Sequence, residues 1–185
     1  MGLSVRIADR HLPVRESPLR IHLGQGISRG ERMDYTLQKS VELGVASIAP
    51  LWVNRTQVQL EGKRLERRIS HWNAVIRSAC EQSGRLVVPT LHVPVTLDVW
   101  ARAVPTDYRK LLLDPEGESP VRDMISQESD VALVIGPEGG LETSEIARLQ
   151  SIGFVGVRLG PRVLRTETAA VAALSVVQTL WGDLG

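Results

Sequence analysis

The chain has 185 residues, of which 43% are hydrophobic and 23% charged, and its formal net charge at pH 7 is +1. This size allows one well-packed domain. Because the chain has neither an apolar run of about 20 residues nor a signal-peptide core, we expect a soluble, cytoplasmic protein. The single cysteine, Cys80, excludes an intrachain disulfide and lies on an apolar helical stripe, which favours a packing thiol over a nucleophile.

The charge is unevenly distributed along the chain. Segment 54–85 has seven basic residues against three acidic ones, a net +4, whereas segment 106–150 has four against ten, a net −6. A basic first half can attract nucleic acid by neutralising phosphates. The alternative is a solvated helix face, and charge alone leaves both interpretations open. For Arg67, Arg68 and Arg77 we expect the solvated helix face.

The predicted elements alternate between strands and helices. After a possible strand at 5–7, strands are expected at 21–23, 45–53, 86–93 (interrupted by Pro89), 110–113, 131–135 and 154–159, and helices from 33 to Gly44 and at 63–83, 97–104, 143–151 and 168–181. Asp34 and Thr143 are the expected N-caps. Segment 114–130, rich in acids and proline, is a predicted loop or lid. This order predicts an α/β fold in which helices cover both faces of a parallel sheet.

The last predicted helix is apolar on nearly every side, with alanine, valine and leucine filling most of 169–177. A helix of this kind should be buried on more than one side. Since the chain is small, we expect a homodimer interface to supply the second cover.

Two turns rich in glycine and proline follow predicted strands near the carboxyl end: Ile135-Gly136-Pro137-Glu138-Gly139-Gly140 and Leu159-Gly160-Pro161-Arg162-Val163-Leu164-Arg165-Thr166-Glu167-Thr168. Glycine lets a ligand approach the backbone, and two such turns suit a ligand lying across strand ends. No G-x-S-x-G elbow, Walker A lysine or G-x-G-x-x-G spacing occurs. The histidines are scattered, so no metal site is predicted.

Together these two turns, in this order and spacing, resemble the RsmE family of ribosomal RNA uridine-N3 methyltransferases in the SPOUT superfamily. Two earlier stretches match that family as well: Gln38-Lys39-Ser40-Val41-Glu42-Leu43-Gly44-Val45 and Ala79-Cys80-Glu81-Gln82-Ser83-Gly84-Arg85. The resemblance implies an α/β fold with a C-terminal deep trefoil knot, bound S-adenosyl-L-methionine, a homodimer, and small-subunit (16S) ribosomal RNA or the assembled subunit as substrate.

The resemblance also implies site residues. The cofactor-binding residues would be Leu112, Leu113, Gly136, Pro137, Glu138, Gly139, Gly140, Leu159, Gly160, Leu164, Thr166 and Ala169. Uridine N3 is a poor nucleophile until its proton leaves, so a catalyst supplies a base or stabilises the charge on O2 and O4. Arg165 is the candidate for that charge or for a phosphate, and Glu138 or Glu167 for orienting substrate or accepting the proton. The RNA-contact candidates are Arg55, Arg85, Arg162 and Arg165.

The chain departs from the family at its start. Members normally begin with a PUA-like β-barrel, whereas only residues 1–19, a short remnant, precede the methyltransferase domain at 20–185, and we expect such a form to methylate RNA poorly. Lys39 and Glu42 occupy family-motif positions and can form an internal ion pair. Three alternatives stay open: a SPOUT methyltransferase acting on transfer RNA or ribose, a catalytically silent RNA-binding module, and a phosphate nest for a nucleotide.

Overall fold

The computed structural model describes residues 15–117, 119–121 and 128–185. Within that part of the chain the strands are β1 (Arg20–Gly26), β2 (Ser47–Trp52), β3 (Thr90–Leu91), β4 (Val95–Thr96), β5 (Arg109–Leu113), β6 (Ser119–Pro120), β7 (Asp130–Ile135) and β8 (Val155–Arg158). The helices are α1 (Glu31–Glu42), α2 (Gly62–Ser83), α3 (Leu97–Ala103), α4 (Thr143–Ser151) and α5 (Thr166–Trp181). None of these helices is long and apolar enough to cross a membrane.

The strands form one parallel sheet in the order β3-β2-β1-β7-β5-β8-β6, with β4 also paired to β2. The central strand β7 is buried along its whole length, as a strand covered on both faces must be. This arrangement confirms the predicted parallel α/β fold. Because all strands point the same way, their carboxyl ends meet at one edge of the sheet, and the two glycine-rich turns follow β7 and β8 there.

The core is divided by the sheet into two clusters. One cluster packs α1, α2 and α5 against the sheet through residues such as Leu37, Trp72 and Leu174. The other packs α3 and α4 through Leu97, Ala101 and Leu149. Cys80 belongs to the first cluster and is 4% exposed, and burial raises the pKa of its thiol, which confirms the packing role.

Several predicted boundaries were wrong. The expected strand at 86–93 is reduced to Thr90–Leu91, because Pro89 has no N–H to donate to a ladder and Leu86, Val87 and Val88 are more than half exposed. Segment 114–130 is not all loop, since it contains β6 and ends in β7. The expected strand at 5–7 lies outside the described residues.

The expected N-caps were also wrong. Gly30 caps α1, and Asp34, one turn inside the helix, instead contacts His71 of α2 at 2.8 Å. Glu142, not Thr143, caps α4, and its backbone N–H donates to the Glu145 carboxylate at 2.8 Å. The expected ion pair between Lys39 and Glu42 is present, with Nζ and Oε1 2.8 Å apart.

Asp130, at the start of β7, is expected to make the stability of the protein depend on pH in acid. Burial raises the pKa of its carboxyl, but hydrogen bonds from Arg20, His22 and Ser129 outweigh burial and hold that pKa below its ordinary value. A lowered folded-state pKa adds stability above the ordinary carboxyl pKa, about 4, and this stability disappears as pH falls through the folded-state value. We expect the urea concentration at the midpoint of unfolding to decrease when the pH is lowered below about 4. The decrease should be smaller in Asp130→Asn than in the parent protein. An equal loss in that variant would contradict this role.

Candidate functional site

A cavity of about 640 Å³ opens at the carboxyl edge of the sheet. Its walls come from the segments that follow β5, β7 and β8, with Arg32 and Arg55 added from the segments after β1 and β2. The volume falls within the range of about 300–1,000 Å³ that small-molecule sites usually have. The two glycine-rich turns therefore line one site, as predicted.

The first turn has a shape that requires glycine. Gly140 has φ +69°, and a Cβ added at Gly136 would lie 3.0 Å from the carbonyl carbon of Gly140. A Cβ at Gly139 would lie 3.0 Å from the Cβ of Arg55, whose Nη1 donates to the Gly139 carbonyl at 2.9 Å. Side chains at these positions would open the turn or fill the cavity.

The second turn is tied to the first by a buried hydrogen-bond network. The Thr166 hydroxyl donates to the Gly136 carbonyl at 2.6 Å, and Gln25 Nε2 donates to the Thr166 hydroxyl at 3.0 Å. Gln25, on β1, is fully buried, so this network lies in a low-dielectric setting where hydrogen bonds hold geometry firmly. Gly160, which starts the second turn, has φ +73°.

The Glu138 carboxylate is held by groups that follow β1. It accepts from the Arg29 amide at 2.9 Å and from Arg32 Nη1 at 3.1 Å. Burial raises the pKa of Glu138, but these hydrogen bonds, its own amide and the Arg32 charge outweigh burial and keep the pKa below its ordinary value. A carboxylate that is occupied and hard to protonate suits orientation better than general-base work.

Glu167, in the first turn of α5, is the less occupied of the two carboxylates. Its Oε1 lies 3.9 Å from Arg32 Nε, whereas its buried Oε2 accepts no hydrogen bond in the described part of the chain. A buried oxygen without a donor costs free energy unless a ligand or water supplies one. Glu167 lines the cavity and can accept from a donor on a bound molecule.

The four arginines at the cavity differ in their partners. Arg32 is paired with Glu138, and Arg55 is bonded to the Gly139 carbonyl. Arg162 and Arg165 are exposed, and their side chains have no hydrogen bond or ion pair with any other described residue. These last two are therefore free to meet an incoming anion.

Two predicted site residues are not at the cavity. Leu112 is fully buried in the cluster beneath α3 and α4, because side chains alternate along a strand and Leu113 points to the cavity side. Arg85 has a 7% exposed side chain that contacts Glu16 and the carbonyls of Val41 and Val45. With its donors occupied there, Arg85 has a structural role and does not line the cavity, so its RNA contact stays a prediction.

The structure adds residues that the motifs did not indicate. Asp114 and Glu116 line the cavity after β5, and Arg32 lines it from α1. Asn54 fixes the start of α4 by donating from its side chain to Glu142 and from its backbone to Glu145, at 2.8 and 2.9 Å. The position of Asp114 directly after a strand was the one available signal. Among described residues no group of histidine, cysteine and acidic side chains could hold a metal ion.

The fold and the cavity define an α/β protein with a small-molecule site built from two backbone turns at the carboxyl edge of a parallel sheet. The model of the RNA methyltransferase domain family matches residues 15–178. The chain belongs to this family and, within it, to the RsmE family of ribosomal RNA small subunit methyltransferases.

Three similar proteins illustrate the relationship. Ribosomal RNA small subunit methyltransferase E of Buchnera aphidicola subsp. Acyrthosiphon pisum is 36% identical, over 91% of this chain and 66% of that protein. The enzyme of the same name from Neisseria gonorrhoeae, solved with S-adenosyl methionine, is 41% identical with a TM-score of 0.88, over 92% of this chain and 70% of that one. A Legionella pneumophila methyltransferase solved with the same cofactor is 50% identical with a TM-score of 0.88 over the same shares. The chain thus spans about two thirds of the length of its relatives.

Proposed function

We propose that this protein is an S-adenosylmethionine-dependent methyltransferase that methylates N3 of a uridine in small-subunit ribosomal RNA. The observation that carries the proposal is the convergence of both glycine-rich turns on one cavity, in a chain of the RsmE family. Mass spectrometry of small-subunit ribosomal RNA from cells lacking the protein tests it. Loss of one N3-methyluridine supports the proposal, whereas an unchanged set of methylated nucleotides contradicts it.

The cavity residues fit a sulfonium nucleoside. Leu113, Leu159 and Leu164 offer an apolar surface for adenine, and the turn Gly136–Gly140 lets backbone groups approach the ligand. The carboxylate of Glu167, which lines the cavity, offers an acceptor for a ligand hydroxyl or amine. S-adenosylmethionine, when bound, supplies an electrophilic methyl group. Cofactor residues would be Leu113, Gly136, Pro137, Glu138, Gly139, Gly140, Leu159, Gly160, Leu164, Thr166 and Ala169, each of which lines the cavity.

The catalytic roles follow from which side chains have partners. Arg165 is exposed at the cavity, so its guanidinium can hold the negative charge that develops on a uridine oxygen as N3 loses its proton. Glu138 orients the loop after β1 because its carboxylate is already bonded there. Glu167 is then the better of the two acidic candidates for contact with substrate. Arg162 and Arg55 are proposed to contact RNA at the same opening.

The turn conformation gives a direct test of the cofactor site. Gly140→Ala is expected to weaken S-adenosylmethionine binding about 5- to 30-fold, because a non-glycine residue at positive φ costs about 1–2 kcal/mol and binding must restore the turn. Gly153→Ala is the matched control, since Gly153 has φ +93° but does not line the cavity. Titration calorimetry should show weakened binding only for Gly140→Ala. Equal affinities in the two variants would place the cofactor elsewhere.

The alternative functions are separated by three measurements with labelled S-adenosylmethionine: binding, methyl transfer and competition. Failure to bind it favours a silent RNA-binding module. Binding followed by transfer to ribose or to transfer RNA favours another SPOUT methyltransferase. Competition by ATP but not by S-adenosylhomocysteine favours a nucleotide site.

The trefoil knot is part of the proposal. Support comes from the strand order: the chain leaves β5, pairs as β6 on the far side of β8, and returns as β7 on the other side of β5. β8 thus lies between β5 and β6, two strands that precede it in the chain, and α5 follows it, which is an order that a knotted chain end requires. The assignment of residues 1–19 as a PUA-like remnant and of 20–185 as the methyltransferase domain remains a prediction, since residues 1–14 lie outside the described part.

A homodimer is proposed from the second face of α5. Val171, Ala172 and Val176 are only half-buried within one chain, and Leu180 is 42% exposed. A second copy could cover this apolar surface. Sedimentation equilibrium should give twice the monomer mass, and Val176→Lys should return the mass to that of one chain. The proposed location is the cytoplasm.

A further inference from the structure

The amino-terminal part of α2 carries a cluster of cations that lack partners among the described residues. Four basic residues, here called the α2 basic patch, lie within its first two turns: Lys63, Arg64, Arg67 and Arg68. Three are exposed and Arg68 is half-buried, and none forms an ion pair with another described residue.

The patch lies where a helix does not favour positive charge. The amino end of a helix carries a partial positive charge, and the first turn of α2 contains no acidic residue. Glu61, at the N-cap, makes no capping hydrogen bond through its side chain. Glu66 is the one acidic residue in these two turns and forms no ion pair with a described residue, so the patch keeps a net positive charge that a negatively charged partner would compensate.

The contact between α1 and α2 fixes the position of the patch. His71 Nε2 lies 2.8 Å from Asp34 Oδ2, so these residues are at one level. α1 begins at Glu31, three residues before Asp34, whereas α2 begins at Gly62, nine residues before His71. Both helices follow parallel strands and run the same way, so the six-residue difference makes α2 extend about 9 Å beyond the start of α1.

This extension lies at the carboxyl edge of the sheet, where the cavity also opens. Arg32, in the first turn of α1, lines the cavity, and Arg55, in the segment leading to α2, lines it too. Arg64 precedes His71 by seven residues and so lies on the same side of α2, which faces α1. The patch therefore continues the row of cavity arginines away from the site along one edge of the sheet.

We propose that the α2 basic patch binds the phosphate backbone of the RNA whose target nucleotide enters the cavity. The inference rests on the proposed function. Polynucleotide phosphates suit it because their charges repeat along a strand, as the cations repeat along the helix, and because the adjacent cavity serves a family of RNA methyltransferases. A charged lipid surface is the competing partner that the experiment must exclude.

The test compares two double variants with the same change of charge. Arg64→Gln/Arg67→Gln removes two cations of the patch. Arg77→Gln/Arg102→Gln removes two exposed, unpaired cations, one at the other end of α2 and one on α3 across the sheet. The binding constant for a labelled 30-nucleotide, uridine-containing single-stranded RNA is measured by fluorescence anisotropy from 50 to 200 mM KCl, without cofactor.

The patch variant is expected to make the negative slope of log K against log salt shallower by about 1.4 and to weaken binding about 25-fold at 100 mM KCl, as two lost phosphate contacts on a single strand predict. The control should match the parent. Equal slopes in all three proteins, an equal loss in the control, or a parent that does not bind the RNA would overturn the proposal. So would lost binding to phosphatidylserine vesicles with RNA binding unchanged.

Two further measurements separate an effect of the patch from misfolding and from the proposed enzyme function. Unchanged affinity for S-adenosylmethionine shows that the patch variant is folded, and Lys63→Gln/Arg64→Gln replaces it if it is not. Methyl transfer is measured separately on the parent. Patch-dependent RNA binding without methyl transfer would support the RNA-binding role of the patch and contradict the proposed methyltransferase function. Methyl transfer with equal salt slopes in all three proteins would support the methyltransferase function and contradict the role of the patch.

Discussion

Replacement of Arg85 by methionine is expected to lower the free energy of unfolding by about 2–3 kcal/mol. Its guanidinium donates twice to Glu16 Oε2 and also to the carbonyls of Val41 and Val45, at 3.1 and 2.8 Å. The remaining Glu16 carboxylate still accepts from the amides of Leu86 and Val87. Removing one member of a buried pair costs about 3–5 kcal/mol, and we expect less here because Glu16 is 31% exposed.

Urea unfolding of Arg85→Met beside Arg77→Met measures this effect. Arg77 is exposed and unpaired within the described part of the same helix, so its replacement should change stability by no more than about 0.5 kcal/mol. Affinity for RNA should stay the same in Arg85→Met once the protein is folded. A stable Arg85→Met variant with weakened RNA binding would support the RNA contact that the sequence suggested.

Arg85 also shows why the roles of some residues could not be predicted from the sequence. An arginine that follows a basic helix and lies in a family motif looks like a surface cation. Its role is set by Glu16, 69 positions earlier, and by two carbonyls, one in the last turn of α1 and one in the segment after it, and no local pattern reveals those contacts. Gln25 is a similar case, because its link to Thr166 joins residues 141 positions apart.

Local periodicity, by contrast, was enough for the long elements. The stripe of Leu65, Ile69, Trp72 and Ile76 predicted a helix at 63–83, and α2 spans Gly62–Ser83. The apolar run before Gly136 predicted β7 because a strand covered on both faces needs no alternation. The same rule failed at 86–93, where the chain reaches the sheet edge and only two residues pair.

Leu112 shows how strand geometry limits which predicted residues can reach the cavity through their side chains. Adjacent residues of a strand point to opposite faces, so Leu112 and Leu113 cannot both present side chains to one cavity. The glycine-rich turns were predicted correctly as turns because the glycine and proline residues within them determine the backbone conformation. The residues that hold the turns come from elsewhere in the chain: Gln25 from β1, Arg32 from α1 and Arg55 from the segment after β2. Only the fold brings them to the turns.

Arg165→Ala is expected to lower kcat for RNA methylation about 10²- to 10³-fold, or about 2.7–4 kcal/mol in activation free energy, as loss of one donor to a developing oxyanion does. Arg165 lines the cavity at the start of α5 and has no partner among the described residues, so its guanidinium is available to the uridine. Cofactor affinity should change little. Arg165→Lys should recover part of kcat, because the charge returns without the planar fork of donors.

Arg162→Ala is the matched control, since Arg162 is another exposed, unpaired cation of the same cavity within the described residues. An arginine that only binds phosphate stabilises the bound ground state and the transition state equally. Its loss therefore raises KM and leaves kcat near the parent value. An arginine that stabilises the developing charge acts mainly on kcat. Steady-state kinetics of both variants therefore separate the two roles, and a raised KM with unchanged kcat in Arg165→Ala would reduce Arg165 to an RNA contact.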